Sequence, residues 1–149
     1  MSHEHRVRVT ALHPSPHGRV EAAVREVMTA EGVTASEVTV VLSDDDDVSG
    51  VHGEFFGDPT PTDVMTFPMG GDGTPESPLT GELMVGAEHA GRVAAELGWS
   101  VEDEILLYVV HGCLHLCGYD DQDPAGRRVM RERERTVLGA LGIEVDHFE

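Results

Sequence analysis

Apolar residues recur along this chain at two periods, one typical of strands and one typical of helices. Polar–apolar alternation or β-branched runs predict strands over Arg6–Leu12, Glu37–Ser43, Asp63–Met69 and Leu79–Ala87. Helical spacing predicts helices over Gly18–Gly32, Ala87–Gly98, Ser100–Gly118 and Asp123–Gly142, with a shorter helical pattern after Ser43. Strands therefore come mostly early and helices late, which predicts an α+β fold.

The segments between these elements indicate how the sheet is built. A turn is predicted over residues 58–62, and a glycine-rich loop over residues 70–78 separates the third and fourth predicted strands. We expect these two strands to pair across that loop. The 149 residues contain neither an internal repeat nor a linker. The prediction is a single domain over residues 1–149, with a small mixed sheet of about four strands packed with about five helices.

The composition is that of a globular protein, with 40% hydrophobic and 26% charged residues. No apolar run approaches the roughly 20 residues that span a bilayer, so no contact with a membrane is expected. The first residues lack the apolar segment of a secretory signal. We therefore expect a cytoplasmic location.

The net charge of −18 disfavours a protein that binds nucleic acid over its whole surface. All ten basic residues are arginines, and five of them lie between residues 127 and 135, where Glu132 and Glu134 also lie. The expected role of this stretch is a solvated helix face with charge pairs one turn apart. A patch that faces phosphate groups is the alternative, because local charge steers a ligand.

The segment HGCLHLCGYDD, residues 111–121, carries the candidate chemistry. His111 and His115 are four residues apart, so a helix places both imidazoles on one face. Gly118 can adopt the left-handed conformation that ends a helix and reverses the chain. Asp121 can then fold back toward the two histidines. The spacing predicts a metal site at the end of the penultimate helix, formed by His111, His115 and Asp121.

This spacing matches that of the metzincin peptidases, H-E-x-x-H-x-x-G-x-x-H, with two differences. Gly112 stands where the peptidases have their catalytic glutamate, which argues against a peptidase. Asp120 competes with Asp121 as the third ligand, although spacing favours Asp121 and leaves Asp120 to orient an imidazole N–H. His52 and His89 are further alternatives for the third ligand.

Together with PTDVMTFP, residues 61–68, the histidine motif makes the chain resemble the YbeY family of metal-dependent endoribonucleases. The resemblance implies an α+β fold with zinc at the end of the penultimate helix, although another divalent transition metal could serve. It also implies hydrolytic cleavage of RNA by metal-activated water in ribosomal RNA maturation. The implied partners are ribosomal RNA or the small ribosomal subunit, and an accessory ribosomal protein could supply basic contacts.

Besides mild changes at Met65 and Thr66, the chain departs from the family pattern at three positions. Asp121 stands where the family has the third histidine, Phe56 where it has an arginine, and His52 where it has an asparagine. The general base is not identified by the sequence. Asp120 and Glu104, seven residues before His111, are the carboxylates that could serve as catalytic residues.

Two other functions fit the same residues. Two histidines and a carboxylate are also the ligand set of non-haem iron oxygenases, a different class of metalloenzyme. A non-catalytic, metal-stabilised ribosome-associated factor is the second alternative, since the chain is acidic and departs from the family at the third ligand. If the histidines only pack in the core, neither metal nor chelator affects the protein.

Overall fold

The computed structural model describes residues 4–11, 16–57 and 62–145. Within these ranges the four strands are β1 (Glu4–Ala11), β2 (Ala35–Ser43), β3 (Val64–Pro68) and β4 (Leu79–Gly86). The five helices are α1 (His17–Ala30), α2 (Asp45–Phe56), α3 (Ala87–Leu97), α4 (Val101–Leu116) and α5 (Pro124–Ala140). The predicted number and order of elements are confirmed. Leu12 and most of the predicted turn at residues 58–62 lie outside the described residues.

The four strands form one mixed sheet in the order β1-β2-β4-β3. β1 and β2 pair in parallel, as do β2 and β4, because each connection crosses over through helices. β3 pairs antiparallel with β4, with Val64 opposite Val85 and Pro68 opposite Gly81. The expected pairing across the glycine-rich loop is therefore confirmed, and with it the α+β class.

Helix α4 is the central element of the core and packs against α1, α3, α5, β3 and β4. Its side chains are buried on nearly every face from Glu104 to Leu116, as its almost continuous apolar sequence requires. Gly112 lets the helix approach the sheet closely. A Cβ atom built on Gly112 would lie 2.9 Å from Cδ2 of Leu83 and 3.2 Å from Cγ2 of Val64. A side chain at this position would therefore have to displace the Leu83 side chain and would crowd that of Val64.

The two ends of α4 are fixed by local hydrogen bonds. At its start, the Ser100 hydroxyl accepts a hydrogen bond from the Asp103 backbone N–H at 3.3 Å. At its end, Gly118 has a φ of 101° and the Tyr119 N–H donates to the Leu114 carbonyl at 3.1 Å. The chain then reverses. Asp123 caps α5 by accepting the Gly126 N–H at 2.6 Å.

None of the helices in the described ranges combines the length and the apolar character needed to cross a bilayer. Their lengths run from 11 residues in α3 to 17 residues in α5.

Candidate metal centre

His111, His115 and Asp121 come together at the end of α4. The two Nε2 atoms are 3.0 Å apart. Asp121 places Oδ2 3.4 Å from Nε2 of His111 and Oδ1 3.7 Å from Nε2 of His115. Among the described residues, this is the one group of three metal-binding side chains whose ligand atoms all lie within 4.8 Å of one another. The turn at Gly118 therefore brings Asp121 back to the histidines, as its spacing suggests.

The Nδ1 atom of His111 lies 2.6 Å from Oε1 of Glu134 on α5. Glu134 is completely buried, and its other oxygen accepts a hydrogen bond from Nη1 of Arg131 at 2.8 Å. An ionised carboxylate can only accept, so Nδ1 of His111 carries the hydrogen. The lone pair of Nε2 then points toward His115 and Asp121, which is the tautomer that a metal ligand needs.

His115 is oriented by the backbone that follows the helix. Its Nδ1 donates to the Tyr119 carbonyl oxygen at 2.9 Å, so its Nε2 also carries the lone pair. The Tyr119 hydroxyl in turn donates to Glu31 at 2.6 Å. Arg133 holds that carboxylate at 2.7 Å. Both imidazole rings are therefore fixed by hydrogen bonds that leave Nε2 available.

The electrostatic environment of His111 favours a positive charge. Burial lowers its pKa, but the hydrogen bond and the charge of Glu134 raise it, and the carboxylates of Asp63 and Asp121 add to the increase. The net result is a pKa above the ordinary histidine value. The same negative surroundings that raise this pKa attract a cation.

Asp120 is exposed, and its carboxylate accepts the backbone N–H of Gln122 at 3.0 Å. The expected orienting contact to an imidazole is made by Glu134 and the Tyr119 carbonyl instead. The role of Glu134 does not follow from the local sequence. Its signal was weak: a glutamate midway between Met130 and Leu138 on the apolar face of α5.

Glu104 is 3% exposed, and it accepts a hydrogen bond from Nε1 of Trp99 at 2.8 Å. Burial, together with the hydrogen bond and charge of Glu104, raises the pKa of Tyr108 well above the ordinary tyrosine value. The ring of His89 lies 6.2 Å from that of Tyr108. Glu104 and His89 line a groove that also includes His111, but they lie outside the three-residue group.

His52 and Phe56 lie on α2, with ring centroids 5.5 Å apart. Both line a second, smaller groove of about 260 Å³ that reaches His111 and His115. Phe56 is 57% exposed, so an aromatic ring stands where the family pattern has an arginine. His52 thus lies beside the centre, but it is not one of the three residues whose ligand atoms come together.

Comparisons with known proteins identify the relatives of this chain. A family model described as endoribonuclease YbeY matches residues 8–142. Endoribonuclease YbeY of Pelotomaculum thermopropionicum is 37% identical over 132 residues, which cover 85% of this chain and 86% of the relative. That of Salinibacter ruber is 35% identical over 137 residues, or 87% of each chain. The solution structure of a Thermotoga maritima protein covers 91% of both chains with a TM-score of 0.63 at 24% identity, and it shows the same fold.

Fold, site and sequence likeness together define a metal-dependent hydrolase that cleaves RNA. The chain belongs to the endoribonuclease YbeY family. Its role is accordingly in ribosomal RNA maturation.

Proposed function

We propose that this chain is a zinc-dependent endoribonuclease whose protein ligands are His111, His115 and Asp121. One observation carries the assignment of the site. The ligand atoms of these residues face one another, while the Nδ1 atoms of both histidines are engaged by acceptors. That arrangement fixes the tautomers a divalent metal requires. The family supplies the reaction, and the whole chain is expected to act as one catalytic domain.

Two imidazole nitrogens and one carboxylate oxygen form a donor set that suits zinc, and three protein ligands are typical of catalytic zinc sites. Other divalent transition metals accept the same donors, so metal identity is part of the proposal. When bound, such an ion activates water for attack on a phosphodiester and offsets the charge that develops on the phosphate. Closed structural sites, in contrast, usually take four protein ligands.

The protein's own residues position and charge this centre. Glu134 and the Tyr119 carbonyl hold the two imidazoles in fixed orientations. Asp121 contributes a negative charge where the family pattern has a neutral imidazole. Helix α4 offers no carboxylate next to His111, since Gly112 is packed against Leu83. Proton transfer is therefore left to a carboxylate outside that position, and Asp120 and Glu104 remain the candidates to be tested.

The proposed substrate is ribosomal RNA, free or within the small subunit, in the cytoplasm. The family membership supports this substrate class. The net charge of −18 supports a role for an accessory ribosomal protein, because such a partner could supply the basic contacts that most of this surface lacks.

The direct test compares metal content and RNA cleavage in the native protein, His115→Ala and Asp121→Ala. We expect about one zinc ion per native chain, with cleavage of a small-subunit ribosomal RNA precursor. Both variants should lose zinc and cleavage together. His17→Ala on α1 is the matched control, since this exposed histidine lies outside the group and its loss should change neither measurement.

Other outcomes would select the alternatives. If zinc stabilises the native protein but no RNA is cleaved, the protein is a metal-stabilised ribosome-associated factor and not an enzyme. If the purified protein contains stoichiometric iron and no zinc, it is instead a metalloenzyme of the two-histidine, one-carboxylate oxygenase class.

A further inference from the structure

A groove of about 700 Å³ lies between α3, α4 and α5 and reaches the candidate metal centre. His111 belongs to both the groove and the three-residue group. The groove is therefore a route along which a long substrate could approach the centre. Four arginines of α5 line one of its walls: Arg127, Arg128, Arg131 and Arg135.

These arginines form a stripe along the helix. Arg127, Arg131 and Arg135 are spaced by four residues, which places them on one face of α5, and Arg128 is one turn before Arg131. At 1.5 Å per residue the stripe extends over roughly 12 Å. Arg131 is half-buried and the other three are exposed. A stripe of this length fits a chain of phosphate groups better than a single anion.

The local charge of the groove contrasts with that of the whole chain. Against the four arginines, the lining includes three carboxylates: Asp63, Glu104 and Glu132. Asp63 accepts the Val64 N–H at 2.7 Å, and Glu104 is buried against Trp99. In a protein with a net charge of −18, this wall is a place where a polyanion can approach without the repulsion it meets elsewhere.

The facing wall carries apolar side chains beside His89. Val93 and Leu97, four residues apart on α3, line the groove opposite α5, and Leu107 of α4 lines it between them. Leu97 is 46% exposed. A single strand of nucleic acid matches these two walls, because it has charged phosphates on one side and sugars and bases on the other.

We propose that this groove binds the backbone of the RNA strand, with the α5 arginines contacting its phosphates and directing the strand to the metal centre. The inference rests on the proposed endoribonuclease function and adds the path of its substrate. The proposal gives the α5 arginines a binding role in addition to their charge pairs on the helix surface. The arginines are positioning residues, since they act on the strand and not on the bond that is cut.

The test removes two arginines and measures how binding depends on salt. The variant is Arg128→Gln with Arg135→Gln, in the metal-loaded protein. The probe is a short fluorescent single-stranded DNA, which keeps the phosphates but is no substrate for a ribonuclease. Each lost phosphate contact should lower the slope of log K against log salt by about 0.7, so by about 1.4 for the pair. Affinity at low salt should fall roughly tenfold or more.

The matched control is Arg6→Gln with Arg8→Gln. Both are exposed arginines on β1, at the edge of the sheet away from β3, and both line a different groove. This pair makes the same change in net charge as the α5 pair. If the α5 groove is the binding path, the β1 pair should leave the salt slope unchanged. For RNA cleavage, the α5 pair should raise KM and leave kcat near the native value.

Equal salt slopes for the native protein and the α5 pair would overturn the inference. An equal decrease of the slope in the α5 pair and in the β1 control pair would also overturn it. Binding of inorganic phosphate that competes fully with the DNA at low concentration would also overturn it, in favour of a small-anion site. These results are separate from a failure of the proposed function, which would show as absence of metal-dependent RNA cleavage in the native protein.

Discussion

Asp121 gives the candidate metal centre a negative charge that a third histidine would not carry. Its carboxylate oxygens lie 3.4 Å from Nε2 of His111 and 3.7 Å from Nε2 of His115, so Asp121 is close enough to act as the third ligand in place of an imidazole. An anionic ligand offsets part of the charge of the ion. A metal held this way would be a weaker Lewis acid, and the pKa of the attacking water would stay higher than with three neutral ligands.

We therefore predict that Asp121→His shifts the pH dependence of cleavage toward acid. The variant restores a neutral third ligand, which lets the metal lower the pKa of the attacking water further. The measurement is kcat/KM for a fixed RNA across the pH range, with metal content checked at each pH. A profile that keeps its midpoint, or moves toward alkaline pH, would show that the charge of Asp121 does not set the reactivity.

Glu134 is the residue that local sequence signals did not reveal, yet it orients His111. We predict that Glu134→Gln weakens zinc binding about 10- to 100-fold, because outer-shell partners of metal-ligating histidines contribute this much. The measurement is competition with a chelator at one fixed pH, compared between the native protein and the variant. The same variant should lower the pKa of His111, since the Glu134 contact raises it.

Glu132→Gln is the control for this prediction. Glu132 is an exposed carboxylate two residues away on the same helix, so its loss makes the same change in net charge. An equal loss of zinc affinity in both variants would mean that overall charge, and not the contact with His111, supports the metal.

At the level of elements, most of the architecture could be predicted because its boundaries have local chemical causes. Ser100 caps the start of α4, Gly98 ends α3 in the left-handed conformation, and Pro124 opens α5. The contacts between elements could not be predicted in the same way. The approach of Glu134 to His111 joins residues 23 positions apart on different helices, and no local pattern encodes it. The strand order β1-β2-β4-β3 has the same non-local origin.

The close contact between α4 and the sheet makes Gly112 sensitive to substitution. We predict that Gly112→Ala lowers the free energy of unfolding by about 1–2 kcal/mol, since overpacking against Leu83 outweighs the better helix propensity of alanine. Urea denaturation measures the change.

Gly91→Ala in α3 is the matched control for Gly112→Ala. A Cβ atom at Gly91 meets nothing within 4 Å, so the same substitution should stabilise by up to about 1 kcal/mol. If both variants are stabilised to the same extent, Gly112 is not required for packing.

At the scale of the whole molecule, α5 connects the metal centre to the surface. Arg131 holds Glu134 at 2.8 Å, and Arg133 holds Glu31 at 2.7 Å across the fold. The sequence suggests charge pairs one turn apart on a solvated face. Arg131 and Glu134 form such a pair, three residues apart, but Glu134 is completely buried and supports His111. Arg133 holds Glu31, the carboxylate that supports Tyr119, across 102 positions of the chain. A local pattern of charges cannot distinguish such long-range contacts from surface pairs.

The central claim is that one metal ion at His111, His115 and Asp121 enables this chain to cut RNA. It is tested most directly by measuring the RNA cleavage rate of chelator-treated protein as zinc is added back. The account predicts almost no cleavage without metal, and a rate that rises to a plateau at about one zinc ion per chain. Cleavage that persists undiminished after metal removal would contradict it.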